Sequence, residues 1–320
     1  MTIDPQTQAL LDQINQLVAD PDAPPSMADT RIGAHALFTG FEGEIEQGCR
    51  TEDRQIPTGE GGVPVRIYHP GGDSVSSLLP IVVFFHGGGW SLGDVAAYDS
   101  LVRSLCVLSG TIYVSVDYRL APEHKYPAGL NDCLAVTDWL LSNGAEIGGD
   151  SSRLAVMGDS AGGNLAAVVT HQINSRQPHS IRAQFLLYPV MDISQPHDHY
   201  PSRMALGNGE YLLSREGIDK ASDWYLTNEN DRADPALSPA CQSELSPLPP
   251  TVIVVGGYDP LRDEARAYHD RLTSVGVQSL FKCYPSTIHA FLSFGLLDVA
   301  QQGRRYIADQ VQRLLHPGQN

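Results

Sequence analysis

Residues 154–164 read Leu154-Ala155-Val156-Met157-Gly158-Asp159-Ser160-Ala161-Gly162-Gly163-Asn164, and this stretch decides the fold. Its four apolar residues fit a strand buried on both faces, and the small-residue run from Ala161 to Ile173 fits a helix. Between them Gly158-x-Ser160-x-Gly162 is a G-x-S-x-G pattern, in which serine sits on a strained strand-to-helix turn with small neighbours. A serine there faces the unpaired N–H groups and positive end of the following helix, where an oxyanion is well stabilised. Ala161 N–H is one candidate donor. The competing reading is a turn that only lets helix and strand pack closely, so the rest of the chain must supply the chemistry.

Outward from this stretch the rhythm repeats. Ile81 to Phe85, Ile112 to Val116, Phe185 to Leu187 and Thr251 to Val255 are short apolar runs. Helix-compatible stretches lie between or after them at Tyr98 to Leu108, Ala128 to Leu141 and Asp263 to Val275. The alternation predicts an α/β fold with a mostly parallel, doubly wound sheet. Val63, Val65 and Ile67 alternate with Pro64, Arg66 and Tyr68, a period-2 strand in a first hairpin region. Pro5 to Val18 carries Leu10, Leu11, Ile14, Leu17 and Val18 at helical spacing, and Pro21 to Pro25 stops that helix. Met191 to Leu248 breaks the rhythm as a polar, proline-containing insertion over the sheet, with Tyr211 to Leu226 forming one or two short helices.

His86-Gly87-Gly88-Gly89-Trp90 follows directly on the strand Ile81 to Phe85. Consecutive glycines leave backbone N–H groups uncovered, so a loop at a strand end can aim them at developing negative charge. A phosphate loop fails on spacing, because Leu92 stands where a third spaced glycine belongs and no GK[ST] follows. His86 orients the loop and is not the base. A serine nucleophile needs a base, and His289, on a loop after the strand-like Leu280 to Tyr284, reaches the same sheet edge as Ser160. His35, His171, His269 and His316 sit in helical stretches. The third member is a carboxylate that orients the imidazole. Asp259, just past Thr251 to Val255 and the turn Gly256-Gly257-Tyr258, takes that place; its rival Asp263 reads as a helix cap.

Composition sets outer bounds. The 320 residues suffice for one large domain or two small ones, with 42% hydrophobic and 18% charged residues as in ordinary globular chains. A formal charge of −16 repels phosphate backbones and anionic lipid, so neither nucleic acid nor a membrane is the expected partner. Cys49, Cys106, Cys133, Cys241 and Cys283 show no CxxC spacing and suggest neither a disulfide framework nor a zinc knuckle. Met1 to Asp20 lacks the basic segment and apolar run of a signal peptide. The expected location is the cytoplasm. His197-Asp198-His199 resembles a metal cluster but reads as a solvated loop, and neither metal nor organic cofactor is expected.

Four pieces together, His86 to Trp90, Asp117-Tyr118-Arg119-Leu120-Ala121-Pro122-Glu123, Gly158 to Asn164, and Asp259-Pro260-Leu261-Arg262-Asp263-Glu264 with His289 downstream, resemble the bacterial hormone-sensitive lipase-like esterases of the α/β-hydrolase superfamily. The chain order serine, aspartate, histidine is that superfamily's order. The resemblance implies an α/β-hydrolase fold with a helical cap, and a serine carboxylesterase with Ser160 as nucleophile, His289 as general base then acid, and Asp259 as orienting acid. It implies oxyanion donors at Gly87, Gly88 and Ala161, and a preference for short- to medium-chain acyl esters. The Asp117 to Glu123 segment is structural in that family. One departure is Ala290, which stands where the family commonly has glycine.

The resulting division is 1–50 as N-terminal cap helices, 51–190 as the first part of the core, 191–248 as a cap insertion and 249–320 as the second part of the core. Trp90, Phe291, Tyr200 and Tyr211 are candidates for an apolar acyl or alcohol pocket. The expected partner is a small-molecule ester, and pairing as a homodimer stays open. Two rival functions stand beside the esterase. An amidase or peptidase shares the tetrahedral path. A ligand-binding protein of the same fold, like the plant gibberellin receptors, lacks the working histidine, and His289 argues against it.

Overall fold

The computed structural model describes residues 2–16, 26–59, 61–71 and 77–316. Leu17, Val18 and Pro21 to Pro25, where the first helix and its stop were expected, lie outside them in whole. Among the described residues the strands form one eight-stranded sheet in the order β1-β2-β4-β3-β5-β6-β7-β8. β1 (Cys49–Thr58) and β2 (Gly61–Pro70) form an antiparallel hairpin, and β2 is also antiparallel to β4 (Ile112–Val116). From β4 onward, through β3 (Leu79–Phe85), β5 (Gly149–Asp159), β6 (Ile181–Leu187), β7 (Thr251–Tyr258) and β8 (Ser279–Ile288), every pairing is parallel. The sheet is therefore mostly parallel, as the apolar runs predict.

Strand alternation divides the core into two layers. Ile81, Val83 and Phe85 pack on one face with α4 (Ala128–Asn143), α5 (Ala161–Arg176) and α8 (Arg262–Ser274) through Leu130, Leu165 and Leu272. Val82 and Phe84 pack on the other with α1 (Pro5–Gln16), α3 (Asp99–Ser109) and α9 (Asp298–Leu315) through Leu11, Leu101 and Ile307. α3 leaves β3 for one face and α5 leaves β5 for the other, so a crevice opens at the carboxyl ends of these neighbouring strands, where open α/β sheets gather their sites. Phe85 pairs with Gly158, which places the glycine loop beside Ser160.

Residues 191–248 contain no strand and cover that end of the sheet. They carry α6 (Pro201–Leu206), α7 (Arg215–Tyr225) and short 3-10 turns. α2 (Met27–Gly40) begins with a capping box in which Asp29 N–H donates to Ser26 Oγ. It is tied to the Asp117 to Glu123 segment by Arg31, which bonds the Ala121 carbonyl and Glu123. β1 escaped the sequence pattern because it is a charged edge strand with Arg50, Glu52, Asp53 and Arg54. No described helix is long and apolar enough to cross a membrane.

Candidate active site

Ser160 joins β5 to α5 at φ 53° and ψ −118°, a conformation that costs a non-glycine residue of order 1 kcal/mol or more. The surroundings hold it there. Its N–H donates to the Leu187 carbonyl at 2.8 Å, and its carbonyl accepts the N–H groups of Asn164 and Val190 at 3.1 Å each. The flanking glycine is required by space: a Cβ at Gly162 would lie 2.0 Å from the Phe85 carbonyl oxygen. Ser160 remains partly exposed while the strand below it is buried.

His289 follows β8 and Asp259 follows β7, so both side chains arrive at the same sheet end. The imidazole Nδ1 lies 2.9 Å from Asp259 Oδ2, and Nε2 lies 2.9 Å from Ser160 Oγ. With Nδ1–H donating to the carboxylate, Nε2 is the lone-pair nitrogen and accepts the serine hydroxyl. Asp259 is wholly buried, and its other oxygen accepts the Leu261 N–H at 2.8 Å. Asp263 plays no part in this chain of bonds. It does not cap α8 as its position suggested: its Oδ2 accepts the Ser202 N–H at 2.8 Å from the covering segment.

The glycine loop corrects one sequence expectation. Gly87 cannot serve as a free donor, because its N–H donates to Asp159 Oδ1 at 2.7 Å. Gly88, Gly89 and Ala161 N–H groups meet no acceptor among the described residues, and Gly88 and Gly89 are partly exposed. Among the described residues the unpaired N–H groups of this loop are therefore those of Gly88 and Gly89, and not that of Gly87. The run offered three glycines, and nothing local in it chooses among them. Gly88 adopts φ 106° with a Cβ position 2.2 Å from the Leu92 carbonyl oxygen, so no side chain fits there. His86 orients the loop as expected: its Nδ1–H donates to the Gly87 carbonyl at 2.8 Å, and its ring stacks on Tyr118 at 4.4 Å. Complete burial pushes the imidazole below its ordinary pKa.

Three of the four pocket candidates are packing residues instead. Phe291 is fully buried against Tyr188 and Tyr284, at 5.9 and 5.3 Å between ring centroids, because the turn after His289 drives it beneath α9. Tyr200 donates its hydroxyl to Asp192 at 2.7 Å and lies against the Arg203 guanidinium. Trp90 is sealed under Tyr225 of α7 in a parallel stack at 4.6 Å. Tyr211 differs: half-buried, it packs at 5.0 Å on Tyr258, the neighbour of Asp259. His197 lies 3.1 Å from Asp219, and among the described residues no three His, Cys, Asp or Glu side chains gather as a metal would require. A separate cleft of about 500 Å³, lined among others by His35, Asp53, Arg66 and Asp94, touches none of Ser160, Asp259 or His289.

A family described by its alpha/beta hydrolase fold matches residues 82–293. The chain is 38% identical over 261 residues to a carboxylesterase, NlhH, of Mycobacterium tuberculosis, covering 79% of each chain. It is 32% identical to an ethyl acetate hydrolase of Pseudomonas putida, covering 85% of this chain and 86% of that one. Among solved structures, a hyperthermophilic esterase from the archaeon Pyrobaculum calidifontis superposes with a TM-score of 0.89 at 34% identity, over 98% of this chain and 99% of that one. An ester hydrolase from the Lake Arreo metagenome, complexed with a bipyridine phosphonate derivative, superposes with a TM-score of 0.91 at 32% identity over the same shares.

Proposed function

The chain belongs to the α/β-hydrolase family, and from that premise we propose that it is a serine carboxylesterase working through an acyl-enzyme. Ser160 Oγ attacks the ester carbonyl carbon while its proton passes to His289 Nε2. Asp259 stabilises the imidazolium so formed. The carbonyl oxygen becomes an oxyanion held by the N–H groups of Gly88, Gly89 and Ala161. The intermediate collapses, and the alcohol leaves with the proton from Nε2. Water then attacks the acyl-serine, gives a proton to His289, and the carboxylic acid departs as Ser160 regains its hydrogen.

The observation that carries this reading is the unbroken line Asp259, His289, Ser160 at 2.9 Å per step, with N–H groups of the glycine loop and Ala161 unclaimed among the described residues. The N-terminal helices and residues 191–248 act as a cap, and Tyr211 lines the entrance. α7 comes close to the glycine loop, where a Cβ at Gly89 would meet Ala221 Cβ at 2.7 Å; this low roof favours short- to medium-chain acyl groups. The charge of −16 favours a small ester over nucleic acid or membrane as partner, and five free thiols favour the cytoplasm.

The test is hydrolysis of p-nitrophenyl acetate, butyrate and decanoate by the wild type and a folded Ser160→Ala variant. Short-chain preference that vanishes in the variant is expected. A wild type no faster than the variant on all three esters overturns the reading.

A further inference from the structure

We propose that Asp159 is a positioning residue that aims the oxyanion donors, acting through Gly87. This rests on the esterase reading above. Asp159 is the last residue of β5, and its side chain turns sideways beneath the glycine loop while Ser160 meets His289. It is 1% exposed, and its bond to Gly87 N–H joins segments 72 residues apart in sequence. The two strands beneath are in register at Phe85 and Gly158. The ladder stops there, so this bond continues the attachment past the sheet.

Peptide geometry carries the effect to the donors. The peptide is planar and trans, so its N–H and C=O point in opposite directions. Gly87 is held at both ends: N–H on Asp159, C=O on the His86 ring. With the Gly87 carbonyl turned inward, the Gly88 N–H of the same peptide unit is turned the other way, towards the site. Releasing the Asp159 bond leaves the preceding peptide unit held only through the His86 carbonyl, which accepts the Tyr118 hydroxyl at 2.7 Å, and strands a buried N–H. A Cβ at Gly87 would lie 2.6 Å from Asp159 Oδ2 and 3.0 Å from the Tyr98 hydroxyl, so a side chain there would push the Asp159 carboxyl aside.

The position needs an acceptor oxygen and not a charge. Burial pushes the Asp159 carboxyl up to about 7, against the pull of the Gly87 N–H, and a neutral amide oxygen would accept the same bond. Asp159→Asn and Asp159→Leu therefore separate the roles. On p-nitrophenyl butyrate, Asp159→Leu is expected to lose about a hundredfold in kcat with KM within about threefold, the loss typical of one oxyanion donor. Its affinity for a trifluoromethyl ketone, which forms the tetrahedral adduct, should fall in parallel. Asp159→Asn should keep kcat within about tenfold. A Leu variant with wild-type kcat, or an Asn variant as slow as the Leu variant, overturns the proposal.

Amide hydrogen exchange of the peptide 86–92 gives a readout independent of turnover. Exchange should accelerate in Asp159→Leu and stay near wild type in Asp159→Asn; unchanged exchange in Asp159→Leu overturns the proposal even if the protein is no esterase. Should Asp159→Leu fail to fold, a folded Asp159→Asn with at least a hundredfold loss of kcat or accelerated exchange overturns it, and retention of both supports it. Loss of all activity in the wild type, with the exchange pattern as expected, defeats the esterase reading and leaves the clamp standing.

Discussion

Below Ser160 the protein is sheet, and above it residues 191–248 are short helices and turns. Ile81 to Phe85 are wholly buried, and so are Leu154 to Met157. The covering segment buries fewer apolar residues, Met191, Tyr225, Leu226 and Leu237 among them, and adds polar ties. Arg203 on α6 reaches Glu264 on α8, with Nε at 2.8 Å. Ser202 Oγ donates to the Pro260 carbonyl at 2.7 Å, and Lys125 Nζ donates to the carbonyls of Asp223 and Leu226 at the end of α7. Asn164 of α5 binds the carbonyls of Val190 and Leu237. Burial is spread over many residues and has no direction, so the floor is redundant except where backbones touch. The roof adds to its smaller buried set a few directional bonds from Arg203, Ser202, Lys125 and Asn164, which other groups cannot replace.

The largest effect should come from the point where the floor loses its redundancy. Gly162→Ala would set a Cβ against backbone oxygens of Phe85 and His86, at 2.0 and 2.5 Å, and neither can give way. It should cost on the order of 4 kcal/mol or more, read by urea unfolding; a mild loss would mean the elbow is more pliant than the floor around it. Next is Arg203→Met, which leaves a fully buried Glu264 without its cation and should cost about 3 kcal/mol. Adding Glu264→Leu should recover only part of that, because Glu264 Oε1 also accepts the buried Met191 N–H at 2.7 Å. If the single variant costs under about 1 kcal/mol, the roof does not hang on this pair.

The seam between the regions gives a smaller, pH-dependent effect. The buried Asp159 carboxyl lies raised at about 7 from the usual 3.8, so the native state holds a proton that the unfolded chain has already released. That contribution is complete below the unfolded value and is lost as pH rises through about 7. From pH 5 to 8 the wild type should lose about 2–3 kcal/mol relative to Asp159→Asn; parallel curves would show that burial does not hold this proton. The smallest change is expected at Ala290, held at φ 60° beside His289. Ala290→Gly should stabilise by about 0.5–1 kcal/mol, by relieving the left-handed conformation, with kcat unchanged. A loss of stability in thermal unfolding would mean that the buried methyl packs usefully.

The same contrast explains what could be read in advance. β3, β4 and β7 are written as continuous apolar runs because a strand buried on both faces has no other choice. β1 carries charges because it is an edge, and its identity came only from pairing with β2. Ser160, Asp259 and His289 were legible because each follows a strand end, and parallel strands deliver their ends to one place. The pocket aromatics were not. Phe291, Tyr200 and Trp90 announce large apolar rings, but their direction depends on how they pack on Tyr188, Arg203 and Tyr225, and periodicity does not show that even where the partner is only three residues away.

By itself the sequence determined the doubly wound sheet, the strained serine turn and the three side chains at the strand ends, since periodicity and turn chemistry act over a few neighbouring residues. Tertiary structure alone decided that Gly87 is spent on Asp159, that Asp263 ties down Ser202, and that α7 lies against the glycine loop. Each of these is a pairing between a group and a partner tens of residues distant. A hydrogen bond is settled by where both atoms come to rest, and no local pattern carries that information.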